Sequence, residues 1–420
     1  MNPIHLSDHV DERTTLAGLG PRVVPVLAAV GLVGLGAAVG LGWARGDGLR
    51  YFFHTYLTSY SFLLSISLGA LFFVALQHVT RAGWSVTVRR LAEVLAGNLL
   101  LMAVLFLPIL AAVLLAGGGV EPGSGAWQDP LYEWNRPAAV AENPLVAHKT
   151  PYLSRGFFAA RAVVYLAVWA AAAWFYLGRS RKQDETRDPG LTLAMERASP
   201  VVLLAFAATV TFASFDWLMS LAPEWYSTIF GVYYFSGAAV GALAAIILAA
   251  VLLQGAGRLR ESITVAHYHD LGKLLFAFVF FWGYIAFSQY MLIWYGNIPE
   301  ETRWYLVRQE GAWRWVSVLL LFGHLLIPFL GLLPREAKRR KPLLAFWAVW
   351  LLVFHWLDIY WLVMPSLGGP ELPLGLIDAG CLLGLGGLYV AGLWWVAGEK
   401  PLVPLADPRR HEALAFEQSF

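Results

Sequence analysis

Among the polar or titratable side chains inside long apolar runs of this 420-residue chain, nine stand out: His54, Glu93, Arg161, Asp216, Gln289, His324, His355, Asp358 and Asp378. In hydrocarbon such groups cost from a few to many kcal/mol unless they face protein or water, so each is a candidate for moving protons or ions. With a helical rise of about 1.5 Å per residue, Arg161 and Asp216 fall at matching depths, about 10 Å from the same face, where they can pair. His355 and Asp358 are three apart and share one helix face. His355 falls near the middle, Asp358 a turn closer to that face, and His324 at the depth of His355. An imidazole beside a carboxylate titrates in the range that hands on protons. Glu93 falls toward the opposite face, where snorkelling to the interface is its bland explanation. Asp378 lies near enough to the first face to read as a wet position, and His54 and Gln289 are secondary candidates in that half.

Taken together, these depths predict a proton route from Glu93 through His324 and His355 to Asp358, Asp216 and Arg161. Arg161 with Asp216 reads equally as a static pair that locks two helices. His324 and His355 have a competing use as axial ligands of a b-type haem, which two mid-depth histidines on neighbouring helices would suit. Trp350, Phe354 and Trp356 crowd that part of the run and argue against a porphyrin edge there. The single cysteine, Cys381, excludes a disulfide framework, an iron–sulfur ligand set and a Cys-x-x-Cys-His haem attachment. No metal site is expected.

What must position these residues is a set of membrane helices. Hydrophobic residues make up 58% of the chain and charged residues 14%, against about 25% charged in ordinary soluble proteins. Apolar runs at 23–43, 51–78, 86–115, 154–178, 197–222, 226–254, 270–297, 312–333, 343–365 and 373–397 predict an all-α integral membrane protein with ten spans. A net charge of +2 and basic residues confined to the flanks of the runs give no reason to expect a nucleic-acid partner. Residues 1–21, with Asp8, Asp11, Glu12 and Arg13, are a poor secretory leader and read as a retained tail.

Lys and Arg concentrate after spans two, four, six and eight, with Arg335, Lys338, Arg339, Arg340 and Lys341 as the densest group. The positive-inside rule then puts both termini in the cytoplasm and the longest connection, 116–153, outside. That connection, with Trp127, Tyr132 and Trp134, reads as an ordered cap or docking surface. Asp216 precedes Pro223 by seven residues and Asp358 precedes Pro365 by seven, four spans apart, which suggests two four-helix bundles of like orientation. The predicted organisation is a tail at 1–22, a first helix and loop at 23–50, one bundle at 51–225, a second at 226–366, a tenth helix at 367–398 and a tail at 399–420.

Two stretches resemble a known family. Residues 271–301, LGKLLFAFVFFWGYIAFSQYMLIWYGNIPEE, with Ser288 and Gln289 inside a run that ends in Asn297-Ile298-Pro299-Glu300-Glu301, are similar to the F subunit of bacterial alternative complex III. Ser214-Phe215-Asp216-Trp217-Leu218-Met219-Ser220-Leu221, followed by Pro223, Trp225, Ser227-Thr228 and Gly231, resembles the same subunit. The resemblance implies an NrfD-like (polysulfide-reductase-like) fold of two four-helix bundles flanked by spans one and ten. It also implies a place in a quinol-oxidising respiratory complex of the bacterial cytoplasmic membrane.

Implied partners are a second NrfD-like membrane subunit, an iron–sulfur protein, multihaem and monohaem cytochrome c subunits, a terminal oxidase and membrane lipids. Menaquinol or ubiquinol would be used at the level of the complex, and haem and iron–sulfur clusters would sit on those partners. By the resemblance the sister C subunit is the better-supported quinol binder, since the motifs here are not that subunit's. From its own residues this chain would contribute the proton path, with a quinol-facing cavity of its own as the secondary expectation and a lipid-filled cleft as the alternative. The polar residues of the 271–301 stretch predict that span seven lies inside a bundle. Two alternatives stay open: a secondary transporter with midplane acidic groups, and a purely structural anchor for redox subunits.

Overall fold

The structure, a computed structural model, describes residues 12–19, 22–116 and 128–417. Asp8, Asp11 and Trp127 lie outside the described residues. The chain is all-α, with no strand among the described residues, and ten helices are long and apolar enough to cross a membrane. It is a multi-pass membrane protein. The crossing helices are α1 (Val23–Ala44), α2 (Arg50–Val79), α3 (Val86–Gly97, Leu99–Leu105 and Leu107–Leu115), α4 (Arg155–Thr186), α5 (Gly190–Trp217), α6 (Phe230–Gly255), α7 (Val265–Gly296), α8 (Trp313–Leu332), α9 (Lys341–Val363) and α10 (Leu376–Ala397).

Several helices outrun the apolar stretches that announce them. α4 continues to Thr186 and α5 begins at Gly190 because the charged residues between them still favour helix. Only a short turn with Arg187 at positive φ separates the two. α7 starts at Val265, where the Thr264 backbone N–H donates to Nδ1 of His267.

Two crossings are interrupted for identifiable reasons. In α3 the ladder breaks at Asn98 and Phe106. The Tyr56 and Tyr60 hydroxyls donate to the carbonyls of Leu105 and Met102, at 2.7 and 3.1 Å, and Pro108 supplies no N–H. In α8 a π-helical stretch, Leu321–Leu326, precedes Pro328. Proline at 328 deprives the His324 carbonyl of its i+4 donor, and the widened turn absorbs the mismatch. His324 therefore sits in the irregular part of its helix.

α2 is at the centre. It packs on α3, α5, α6, α9 and α10, while α6 packs on α2, α5, α7 and α9. Among helices α2–α9 the most extensive packing is that of α2 on α6. The two backbones approach so closely that a Cβ on Gly69 would stand 2.1 Å from the Ala238 carbonyl oxygen. α1 joins through α10, glycine against glycine at Gly31, Gly34, Gly384 and Gly387.

The expectation that span seven lies inside a bundle is corrected. α7 is peripheral, with Phe280, Tyr284, Phe287, Leu292, Trp294 and Tyr295 exposed along one face. Gln289 turns inward, and Ser288 is only half-buried.

Both tails lie on one side, tied by the Leu402 N–H to the Thr14 carbonyl at 2.8 Å. This is the terminal side. On the opposite, loop side, residues 128–153 cover the ends of α3 and α5. Tyr132 donates to the Trp217 carbonyl at 3.1 Å, the Trp134 indole to Ser220 at 3.2 Å, and Asn135 to the Val113 carbonyl at 2.9 Å. Asp129, fully buried there, accepts from the Leu131 and Tyr132 N–H groups at 2.8 and 3.0 Å, and burial raises its carboxyl above the ordinary range.

Candidate functional site

The first carboxylate is locked. Asp216, near the loop-side end of α5, is completely buried. Arg161 of α4 grips it with two parallel hydrogen bonds, Nε to Oδ2 at 2.7 Å and Nη2 to Oδ1 at 2.9 Å, and the Tyr165 hydroxyl adds a third at 2.9 Å. The guanidinium also packs into the corner formed by the edge-to-face rings of Tyr152 and Phe157, 3.9 and 4.2 Å from their centroids. A bidentate, stacked pair of this kind has both charges cancelled and both partners oriented.

The second carboxylate has different company. Asp358 of α9 is 1% exposed and accepts from the Tyr233 hydroxyl of α6 and, at 3.1 Å, from the Trp282 indole N–H of α7. Both donors are neutral, and among the described residues no Lys or Arg pairs with it. The seven-residue repeat therefore joins two aspartates with unlike surroundings. Asp216 has a fixed cation, whereas Asp358 has only neutral hydrogen-bond donors.

His355 lies one turn below Asp358, and the expected direct contact between imidazole and carboxylate is not formed. Its Nε2 meets the Ser65 hydroxyl of α2 at 2.8 Å, and that hydroxyl donates to the Phe62 carbonyl at 2.6 Å. Its Nδ1 has no hydrogen-bond partner. The ring fills a seat cut into α6 at Gly237 and Gly241: a Cβ at Gly237 would stand 2.7 Å from Cε1, and one at Gly241 2.9 Å from Cδ2. That same point at Gly237 is 3.0 Å from His355 Nδ1 and 3.6 Å from Asp358 Oδ2. Acceptor nitrogen and carboxylate thus face one small gap that only glycine leaves open.

His324 comes next, its ring nearly parallel to that of His355 with centroids 6.2 Å apart, and edge-on to Trp282 at 4.0 Å. Neither of its nitrogens is hydrogen-bonded. Asp358, His355 and His324 therefore form one buried group reaching from α9 to the irregular turn of α8.

The remaining candidates stand apart. Glu93 does not snorkel: it is buried on the terminal side between Arg90, at 2.9 Å, and Arg89, at 3.5 Å, in a network that continues through Asp184 and Asp407. The network fastens the C-terminal segment to α3, since Arg90 also donates to the Pro401 carbonyl at 3.0 Å. Asp378, expected to be wet, is 2% exposed. Chain geometry at the start of α10 turns it inward, where it accepts from Tyr51, from Thr55 at 3.0 Å and from the Gly375 N–H at 2.8 Å. His54 Nδ1 is 2.8 Å from the Arg50 carbonyl, and Gln289 donates to Tyr305 at 3.0 Å. Neither touches the Asp358 group.

Four residues that complete the site carry no mark of their own in the sequence: Tyr233, Trp282, Ser65 and Gly237. The one available signal is the run of small residues at 236–245 in α6, which lets a neighbouring side chain approach the helix backbone. The chain matches no protein-family model and no curated protein.

Proposed function

We propose that this chain is a proton-conducting membrane subunit of a quinol-oxidising respiratory complex of the alternative complex III kind, with Asp358 as the group that takes up and releases the proton. The observation that carries the proposal is the contrast between the two buried aspartates. Asp216 is neutralised by Arg161 and serves as a helix lock. Asp358 is held by neutral donors beside two imidazoles with free nitrogens, so a proton can reside on the carboxylate or pass toward His355 across the Gly237 gap.

The resemblance of residues 271–301 and 214–231 to the F subunit supports the place in the complex. On that reading the chain sits in a bacterial cytoplasmic membrane with both termini inside. It meets a second NrfD-like subunit, an iron–sulfur protein, haem-bearing cytochrome c subunits and a terminal oxidase. Redox chemistry belongs to those partners, with menaquinol or ubiquinol as reductant. A loop-side cavity of about 400 Å³ lined by His148, Tyr152, Phe215, Met219, Trp225 and Tyr226 is the best candidate for a quinol-facing surface on this chain.

The interruptions of α3 and α8 are not at equivalent positions of the two expected four-helix bundles, which counts against the matched broken helices of a transporter. The test is gentle extraction through a tag on this chain and mass spectrometry of the native band. Co-purification of multihaem cytochrome c, iron–sulfur and NrfD-like chains is the expected result. A lone chain or a homodimer would overturn the proposal and favour a transporter.

A further inference from the structure

Arg308 follows the short helix Pro299–Val307 on the loop side, outside the crossing helices. It is 4% exposed, yet among the described residues no carboxylate pairs with it. Its guanidinium instead donates to three carbonyls: Trp304 at 2.8 Å, Leu362 at 2.9 Å and Trp361 at 3.2 Å, and it lies 3.4 Å from the centroid of the Trp304 ring. Residues 361 and 362 are three and four positions beyond Asp358, so Arg308 sits one turn above that carboxylate, against the negative end of α9. Burial lowers its pKa to about 9, which leaves the charge in place at neutral pH.

Above Arg308 opens a loop-side cavity of about 200 Å³ whose walls include Glu133, Glu224, Glu300 and Arg303. Glu224 pairs with Arg303 at 3.2 Å, while Glu133 and Glu300 are exposed at the rim. Carboxylates at the mouth of a cavity gather protons, and a fixed buried cation at its floor repels them.

We propose that Arg308 is the electrostatic barrier between Asp358 and the loop-side solution: the acidic cavity is the mouth of the proton route and Arg308 its closed floor. The inference rests on Asp358 as the proton-exchanging group. A unit charge about 10 Å away, at an effective dielectric of about 20, changes a proton's equilibrium roughly tenfold. Arg308 is thus a positioning residue, acting through its charge. The route opens toward the loop side when the guanidinium moves off the α9 carbonyls.

The complex purified from membranes and reconstituted in sealed vesicles is the system for the test. A potassium diffusion potential drives passive proton flux, read with a pH-sensitive dye. Arg308→Gln is expected to raise the flux roughly tenfold, Arg308→Lys to leave it within about twofold of the parent, and Asp358→Asn added to Arg308→Gln to bring it below the parent rate, since the slow parent flux also passes through Asp358. A parent-like flux in Arg308→Gln, or a leak that survives Asp358→Asn, would overturn the barrier. If Arg308→Gln does not assemble, Glu133→Gln with Glu300→Gln on the exposed rim decides. It should lower the Asp358-dependent part of the flux at least twofold, and an unchanged flux would count against the acidic mouth. Failure of the Asp358 reading itself shows separately, as an Asp358→Asn protein whose turnover still moves the full complement of protons.

Discussion

Replacing Arg161 by Met asks whether Asp216 is a lock. The substitution keeps most of the side-chain volume against Tyr152 and Phe157 but removes both hydrogen bonds to a carboxylate that has no exposed surface. Breaking a buried pair by removing one partner strands the other charge, at about 3–5 kcal/mol, whereas replacing both partners by neutral groups of similar volume is often close to neutral. Arg161→Met should therefore lose about 3 kcal/mol or more. Arg161→Met with Asp216→Leu should return to within about 1 kcal/mol of the parent, since Tyr165 loses one bond but no charge remains unpaired. The coupling in the double-mutant cycle is then at least about 2 kcal/mol. Denaturant unfolding in mild detergent measures the stabilities, and vesicle assays read proton movement in the same proteins. Parent-like proton movement in the double variant is expected. A double variant no more stable than Arg161→Met would refute the reasoning, as would one that is stable but no longer moves protons.

Other consequences are equally specific. Gly237→Ala puts a methyl group 2.7 Å from His355 Cε1. It should cost about 1–3 kcal/mol in thermal unfolding and uncouple Asp358 from His355, lowering proton movement while electron transfer continues. Asp129 has a carboxyl whose pKa is raised on folding, so as pH climbs out of the ordinary carboxylate range the unfolded state gives up its proton first. The 128–136 cap then loses stability with rising pH. Hydrogen exchange there should speed up between pH 4 and pH 7 relative to Asp129→Asn, and matching pH profiles would exclude the effect. An azidoquinone should label residues within 148–153 or 215–226. Labelling confined to the partner subunits would remove the quinol surface from this chain.

The ten crossings were legible because hydrocarbon demands some twenty apolar residues per helix, a demand that composition cannot hide. Which helices lie inside was not. Where lipid replaces water, a buried face and an outward face are both apolar, so α2 with nearly every residue buried and α7 with a bare aromatic face read alike. The Arg161–Asp216 pair was legible from matched depth and opposite charge alone. Asp358 was found by the same reasoning, but its partners are aromatic residues on α6 and α7, hidden among the many Tyr and Trp of an interfacial belt. Asp378 was misjudged for a related reason: its distance along the chain from the membrane edge says nothing of the side to which its helix turns it. Pro328, four residues after His324, marked the irregular turn in principle, since a proline always frees the carbonyl four residues back.

The most direct test of the account is the number of protons moved per electron by the intact complex in sealed vesicles, compared between the parent, Asp358→Asn and the Arg161→Met/Asp216→Leu pair. A ratio that falls in Asp358→Asn while the electron rate stays near the parent's, and that is unchanged in the pair, is what the proposed proton role of Asp358 predicts. An undiminished ratio in Asp358→Asn would contradict it.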